Sequence, residues 1–129
     1  MISNWLGSAQ LRRIDDRQWE SIVGVLPDKL SVRAKNRELT YRKFVEGVLW
    51  VIGEDAFWGE LPREFGSWRA LYVRFLRWNA VGVWSDVADV IGRDTALARA
   101  LMQRADQHAA VVHRRRQRVA QVWMLEASP

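Results

Sequence analysis

The stretch TYRKFVEGVLWVIGEDAFWGELPREFGSWRALYVRFLRWNAVGVW, residues 40–84, decides the fold of this chain. Its first part spaces apolar side chains by three and four residues, the period of an α-helix with one buried face. This pattern predicts a helix over about 40–53, in which Thr40 is the N-cap and Gly53 ends the helix. Its predicted core positions are Tyr41, Phe44, Val45, Val48, Leu49 and Ile52.

The middle of the stretch is broken by Pro62 and Gly66, which leave room for at most a short helix near 56–61. Ser67 is then a typical N-cap, and it predicts a further helix over about 68–80. One face of that helix carries the predicted core residues Leu71, Phe75 and Trp78. The side chains that point away from the core are Arg69, Val73, Leu76 and Arg77, with Arg74 flanking the core face.

The regions on either side of this stretch are also predicted from apolar spacing. Residues 16–26 follow a capping aspartate and predict a first helix, which Pro27 stops. Residues 27–38 are polar and lack an apolar period, so they predict a loop. A fourth helix is predicted up to Gly92, and residues 94–124 contain no Pro or Gly and predict a long helix.

These elements predict an all-α chain, a helix-turn-helix-like helical domain with a long C-terminal helix. We expect an N-terminal arm at 1–13, the helical domain at 14–92, and a basic helix at 93–129 that serves as a dimerisation segment. The expected homodimer has two motives: a seam of residues repeats at intervals of four and three, and the sequence shows no other place to bury Leu97, Leu101, Val112 and Val119. That seam contains Leu101, Ala105, His108, Val112, Arg115, Val119 and Val122.

The composition narrows the class of partner. The 129 residues carry a net charge of +5 at pH 7 with a sequence pI near 10.4, which favours polyanions such as nucleic acid or an anionic membrane surface. The chain has no cysteine, so thiolate metal sites and a cysteine nucleophile are excluded. The N-terminus has no signal peptide and no stretch is long enough to span a membrane, so the expected location is the cytoplasm.

The basic residues gather in three places. The helix over 68–80 carries Arg69, Arg74 and Arg77 and no acid, and the forked guanidinium group of arginine matches guanine or phosphate. In a helix-turn-helix, this side of the second helix enters the major groove of DNA. The predicted DNA contacts are Ser67, Trp68, Arg69, Val73, Arg74 and Arg77, with Arg33, Lys35 and Arg37 from the loop and Arg114, Arg115 and Arg116 from the long helix.

The segments 15–27 and 44–84 resemble the N-terminal domain of DDE-type insertion-sequence transposases. That family repeats a string of the form Trp-x-x-Leu-Pro-x-x-Phe-Gly, followed by Trp-x-x-x-Tyr-x-x-Phe-x-x-Trp and Gly-x-Trp. The resemblance covers about residues 14–92. The matching positions here are Trp58, Leu61, Pro62, Phe65, Gly66, Trp68, Tyr72, Phe75, Trp78, Gly82 and Trp84.

The resemblance implies a helix-turn-helix-like domain that recognises terminal inverted repeats. Two departures qualify it. The family tends to have basic residues where this chain has Gly59, Val73 and Leu76, and Val73 and Leu76 lie on the face expected to meet DNA. The loss of these charges should weaken phosphate contacts or change what is read, for example through contact with a thymine methyl group, unless the face meets a protein instead. The catalytic part that follows in the family, an RNase H-like strand bearing an aspartate, is replaced here by the Ala/Arg-rich helix from residue 93 onward.

No pattern in the chain indicates an enzyme. Asp86, Asp89 and Asp94 are spaced as exposed acids of an amphipathic helix, whereas two-metal cleavage needs carboxylates gathered on a rigid sheet. His108 and His113 are five residues apart, on different faces of a helix, so we expect no metal and no cofactor. Four of the eight tryptophans lie on apolar stripes and are expected in the core, namely Trp19, Trp50, Trp78 and Trp84.

Two classes of function remain open. The first is a DNA-binding protein that acts as a sequence-specific regulator or as the terminal-repeat-binding part of an insertion element. The second is a protein-interaction module, or an inhibitor of a parent transposase, that uses the altered Val73 and Leu76 face. Double-stranded DNA is therefore the expected partner in the first class, and a transposase or another protein in the second. A membrane surface is not an expected partner, because the apolar face opposite the basic run 113–118 is narrow.

Overall fold

A computed structural model describes residues 14–127 of the chain, with side chains described to residue 109 and at 117 and 118. Within these residues the fold is all-α, as predicted, and contains no strand. The helices are α1 (Asp16–Gly24), α2 (Asp28–Asn36), α3 (Glu38–Gly53), α4 (Trp68–Ala80), α5 (Val83–Ile91) and α6 (Ala96–Ala127). No helix in this part of the chain has both the length and the apolar character needed to cross a membrane.

Helix α2 corrects the prediction of a loop over 27–38. Pro27 precedes the helix with φ −55°, which suits the start of a helix, and Asp28 lies in the first turn, where the helix dipole favours an acid. Arg33 and Lys35 lie in the last turn, where the dipole favours cations. The sequence pattern missed α2 because Ala34 is its only buried residue, so the helix shows almost no apolar period.

Helices α3 and α4 form the centre of the fold, and their predicted core residues are buried except for Tyr41, which is only partly buried. Helix α3 begins at Glu38, before the predicted cap Thr40, and buries an apolar face that includes Phe44, Val48 and Ile52. It passes very close to α4 at Gly47. A Cβ atom at Gly47 would stand 2.6 Å from Cδ1 of Leu71, so glycine is the residue that permits this approach.

Residues 54–67 connect these two helices and hold two short 3-10 turns, Trp58–Glu60 and Arg63–Phe65. Gly66 then adopts φ 94°, a left-handed conformation that favours glycine. Ser67 caps α4 as predicted, because its Oγ accepts a hydrogen bond from the Ala70 amide at 3.4 Å. The predicted core residues Leu71, Phe75 and Trp78 are all buried.

Trp84 on α5 packs against α4 in the core. Its ring is fully buried, stacks on Phe75 with centroids 5.2 Å apart, and donates a hydrogen bond from Nε1 to the Phe75 carbonyl at 2.9 Å. Trp19 is buried, like Trp78 and Trp84, as predicted, whereas Trp50 is only half-buried.

The first part of α6 belongs to the core. Leu97 and Leu101 are buried, and α6 contacts α3, α4 and α5. One motive for a dimer, that these leucines have no other partner, is therefore wrong. The remaining seam positions 112, 115, 119 and 122 lie outside the described side chains, and self-association through them stays a prediction.

Candidate nucleic-acid interface

Helix α4 exposes a straight row of side chains on the face opposite its core contacts. Arg69, Val73 and Arg77 are all exposed, and each is one turn from the next; we call these three residues the α4 stripe. Helix α4 contains no acidic residue, and neither arginine of the stripe forms an ion pair with any described residue. The stripe therefore offers two unneutralised guanidinium groups separated by a valine.

The N-terminal end of α4 is held by its own contacts. Trp68 is 37% exposed and lies near the 3-10 turn, 4.0 Å from a Cβ placed at Gly59. The guanidinium carbon of Arg69 lies 5.4 Å from the centroid of the Trp68 ring, which is within reach of a cation–π interaction. Ser67 and Trp68 thus have structural roles at this end, besides the DNA contacts predicted for them.

Arg74 lies on the edge of α4 that faces α3. Its guanidinium carbon is 4.8 Å from the centroid of Tyr41 and 5.4 Å from that of Phe44. It pairs with no carboxylate among the described residues. The aromatic rings orient the charge without neutralising it, so it remains available to an anion.

Tyr41 also forms a wall of a second basic feature, a cleft at the junction of α2 and α3. The cleft has a volume of about 360 Å³ and is lined by Arg33, Asn36, Arg37 and Tyr41. The structure therefore places two of the predicted contacts of the 27–38 region beside Arg74, with Tyr41 between them. We call Arg33, Arg37, Tyr41 and Arg74 the basic junction. Lys35 is exposed on α2 and does not line this cleft.

A groove on the other side of Arg74 separates α3 from the start of α4. It also measures about 360 Å³, and its polar lining includes Thr40, Lys43, Ser67 and Arg74.

Sequence reasoning did not select Lys43, or Asn36 and Tyr41 of the neighbouring cleft. The apolar spacing predicts Tyr41 in the core, whereas in the structure its ring is only partly buried and also lines this cleft. The predicted contacts Arg114, Arg115 and Arg116 lie outside the described side chains.

The opposite edge of α4 carries a histidine cluster instead of free cations. Trp58 donates a hydrogen bond from Nε1 to His108 Nε2 at 3.2 Å, and Tyr72 Oη lies 3.1 Å from His108 Nδ1. Because Nε2 accepts, the contacts assign a neutral imidazole that donates from Nδ1 to Tyr72. Burial, followed by the nearby charge of Arg104, lowers the pKa of His108 and favours this neutral form.

This histidine cluster shows no arrangement for metal chemistry. Among the described residues, no three His, Asp, Glu or Cys side chains lie close enough together to bind a metal ion. Asp86, Asp89 and Asp94 are exposed, as predicted, and Asp89 forms an ion pair with Arg93. By contrast, none of the five arginines of the basic junction and the α4 stripe forms an ion pair with a described residue.

This geometry defines the class of protein: it is an all-α domain in which a helix face without acidic residues lies next to a basic junction. Residues 14–88 match the family described as "Putative transposase of IS4/5 family (DUF4096)". The chain belongs to this family of insertion-sequence transposase proteins. The match runs from Ile14 to Ala88 and so includes α1 to α4 and most of α5.

Two curated relatives are similar to this chain. The uncharacterized protein y4sN of Sinorhizobium fredii (strain NBRC 101917 / NGR234) is 33% identical over 122 residues, covering 87% of this chain and 94% of that protein. The insertion element IS402 uncharacterized 16.2 kDa protein of Burkholderia cepacia is 31% identical over 83 residues, covering 60% of this chain and 56% of that protein. No solved structure matches the chain significantly.

Proposed function

We propose that this chain binds double-stranded DNA, with α4 in the major groove and the basic junction on the phosphate backbone. The observation that carries the proposal is the convergence of Arg33, Arg37 and Arg74 around Tyr41, next to a helix face without acids. Backbone contacts fix the position of a reading helix, and base contacts supply sequence preference. The two features described above correspond to these two tasks.

The dimensions of α4 support this arrangement. A helix with its side chains is about 10–12 Å across, and the major groove of B-DNA is about 12 Å wide. The exposed neighbours of the stripe include Ala70 and Ala80, which are small and permit close approach to base edges. Membership of an insertion-sequence family supports DNA as the ligand, with the terminal repeats of an element or a regulatory site as candidate sequences.

A protein partner is less well supported by the same face. Leu76, which the sequence assigned to the exposed side with Val73, is half-buried against the core. The exposed apolar part of the stripe is then one valine between two arginines. Stable protein interfaces bury about 800 Å² per partner around an apolar centre, and the stripe offers no such centre.

The proposal is tested by the salt dependence of duplex binding. Each phosphate neutralised by the protein contributes a slope of about −0.9 to the logarithm of affinity against the logarithm of salt concentration. We expect a steep slope for the wild type between about 50 and 200 mM salt, measured by fluorescence anisotropy. The triple variant Arg33→Ala, Arg37→Ala, Arg74→Ala should bind more weakly with a slope shallower by about two to three units.

The matched control is Arg99→Ala, which removes an exposed arginine of α6 outside the proposed interface. It should leave affinity and slope close to those of the wild type. Absence of duplex binding at the lowest salt concentration, or a flat salt dependence, would overturn the proposal. Circular dichroism of each variant confirms that loss of binding does not reflect loss of helical structure.

A further inference from the structure

Val73 is an exposed apolar side chain at the centre of the α4 stripe, and the fold gives no reason for it. It is 45% exposed and lies outside the buried core. Valine is also a poorer helix former than alanine, leucine or lysine, so at an exposed helical position it brings a small loss of stability. What sets Val73 apart from the other exposed apolar side chains is its position between two arginines that have no ion pair within the described chain.

The two flanking arginines limit what that contact can be. Arg69 lies one turn before Val73 and Arg77 one turn after it, and neither is paired with a carboxylate in the described chain. A ligand for all three residues must therefore present an apolar group between two groups rich in hydrogen-bond acceptors. The floor of the major groove does this where thymine, whose 5-methyl group projects into the groove, lies near guanines, whose O6 and N7 accept a forked guanidinium.

The spacing of the stripe agrees with the spacing of base pairs. Residues about one turn apart on a reading helix contact successive base pairs, as they do in zinc fingers. The stripe has three such residues in a row, ordered arginine, valine, arginine. It therefore matches a short site in which the central contact is apolar and both neighbours are acceptors.

We propose, on the basis of the function inferred above, that Val73 contacts the 5-methyl group of a thymine and that Arg69 and Arg77 contact guanines within two base pairs on either side. The preferred site of the protein thus contains a thymine between guanines, on one strand or divided between both. The basic junction holds the backbone and contributes no preference of this kind.

The experiment starts with selection of bound sequences from random duplexes and then changes single atoms of the selected site. Replacing the central thymine by deoxyuridine removes only the methyl group. Burying one methyl group is worth about 0.8 kcal/mol, so wild-type affinity should fall by about fourfold. Val73→Ala should bind the thymine and deoxyuridine duplexes equally, because the contact is already lost.

Val81→Ala is the matched control. It makes the same chemical change at an exposed valine just beyond the end of α4, and it should retain the fourfold difference between the two duplexes. In the same way, replacing a flanking guanine by 7-deazaguanine removes the N7 acceptor. Wild-type affinity should fall about tenfold, whereas Arg69→Ala or Arg77→Ala should be insensitive at the position that it contacts.

The outcomes separate this inference from the proposed function. If no duplex is selected, the proposed function itself fails. If duplexes are selected without an enriched thymine, or if wild type binds thymine and deoxyuridine duplexes equally, DNA binding stands and the role of Val73 is overturned. A Val73→Ala protein that keeps the fourfold difference overturns it too, and indicates that another residue contacts the methyl group.

Discussion

Two arginines on opposite sides of α4 make the same contact with an aromatic ring, yet the fold uses them differently. Arg74 lies over Tyr41 at 4.8 Å and Arg104, on α6, lies over Trp58 at 5.5 Å. Arg104 also donates a hydrogen bond to the Ala56 carbonyl at 3.0 Å and lies 3.6 Å from the Asp55 carboxylate. For Arg74 no such hydrogen bond or ion pair exists within the described chain.

The difference shows which arginine stabilises the fold and which is available for a ligand. A guanidinium group has five N–H donors, and those of Arg104 are directed at the segment between α3 and the first 3-10 turn. Arg104 thereby joins α6 to that segment. The donors of Arg74 remain for an external acceptor, while its ring contacts hold it in place. A cation–π contact alone therefore does not identify an arginine that is available to a ligand. Such an arginine is identified by N–H donors that form no hydrogen bond within the fold.

The largest expected effect is on stability, and it concerns Trp58 and Tyr41, the aromatic rings that the two arginines contact. Trp58→Ala removes contacts with Phe75, Tyr72 and His108 and should lower the free energy of unfolding by about 2–4 kcal/mol. Tyr41→Ala, on the other side of α4, should lower it by only about 1–2 kcal/mol, because this ring borders an open cleft. Urea unfolding followed by circular dichroism measures both, and equal losses would contradict the contrast.

A second prediction compares the stability and the duplex affinity of alanine variants of the two arginines. Arg104→Ala should lower the free energy of unfolding by about 1–2 kcal/mol, through loss of a charge-assisted hydrogen bond and a cation–π contact, with duplex affinity within about twofold of wild type. Arg74→Ala should lower stability by less than about 1 kcal/mol and duplex affinity by about tenfold. Unfolding curves and anisotropy titrations on the same protein preparations test this. Parallel effects on stability and affinity in both variants would show that the division is wrong.

The smallest expected effect is a pH dependence of stability that arises from His108 on α6. The pKa of His108 is lowered in the folded state, so the unfolded chain takes up a proton first as the pH falls. The stability that comes from the neutral imidazole is therefore fully present above about pH 6.5, the ordinary value for histidine, and is lost as the pH falls toward the lower folded value. Thermal unfolding between pH 7.5 and 5 should show this loss.

His108→Gln should weaken that pH dependence, because it removes the titrating group from the contacts with Trp58 and Tyr72. A wild-type stability that rises as the pH falls from 7 to 5 would contradict the assignment of a neutral imidazole.

The sequence predicted some elements closely and others not at all, and the difference has a physical cause. The bounds of α4 follow from Ser67 and from three large apolar side chains on one face, and both signals are local. Helix α2 gives only weak local signals, because a single alanine is buried, and its helical state depends on packing against α1 and α3. Local patterns therefore predict a helix only when its buried face is large.

The candidate site divides in the same way. The α4 stripe could be predicted, since residues one turn apart on a helix must share a face. The basic junction could not, because Arg33 and Arg74 both lie near Tyr41 only as a result of how α2 and α4 pack against α3. The burial of Leu97 and Leu101 depends likewise on where α6 lies after the turn at Gly92.

The close approach at Gly47 has a consequence for how the protein can change its ligand preference. Leu71 of α4 packs against α3 at this point, so its position sets the direction of the α4 stripe relative to the basic junction. A larger residue at 47 would displace Leu71 or turn α4 by a small angle. If α4 reads DNA as proposed above, a core substitution at Gly47, which lies away from the proposed interface, would change how the stripe is aligned with the groove.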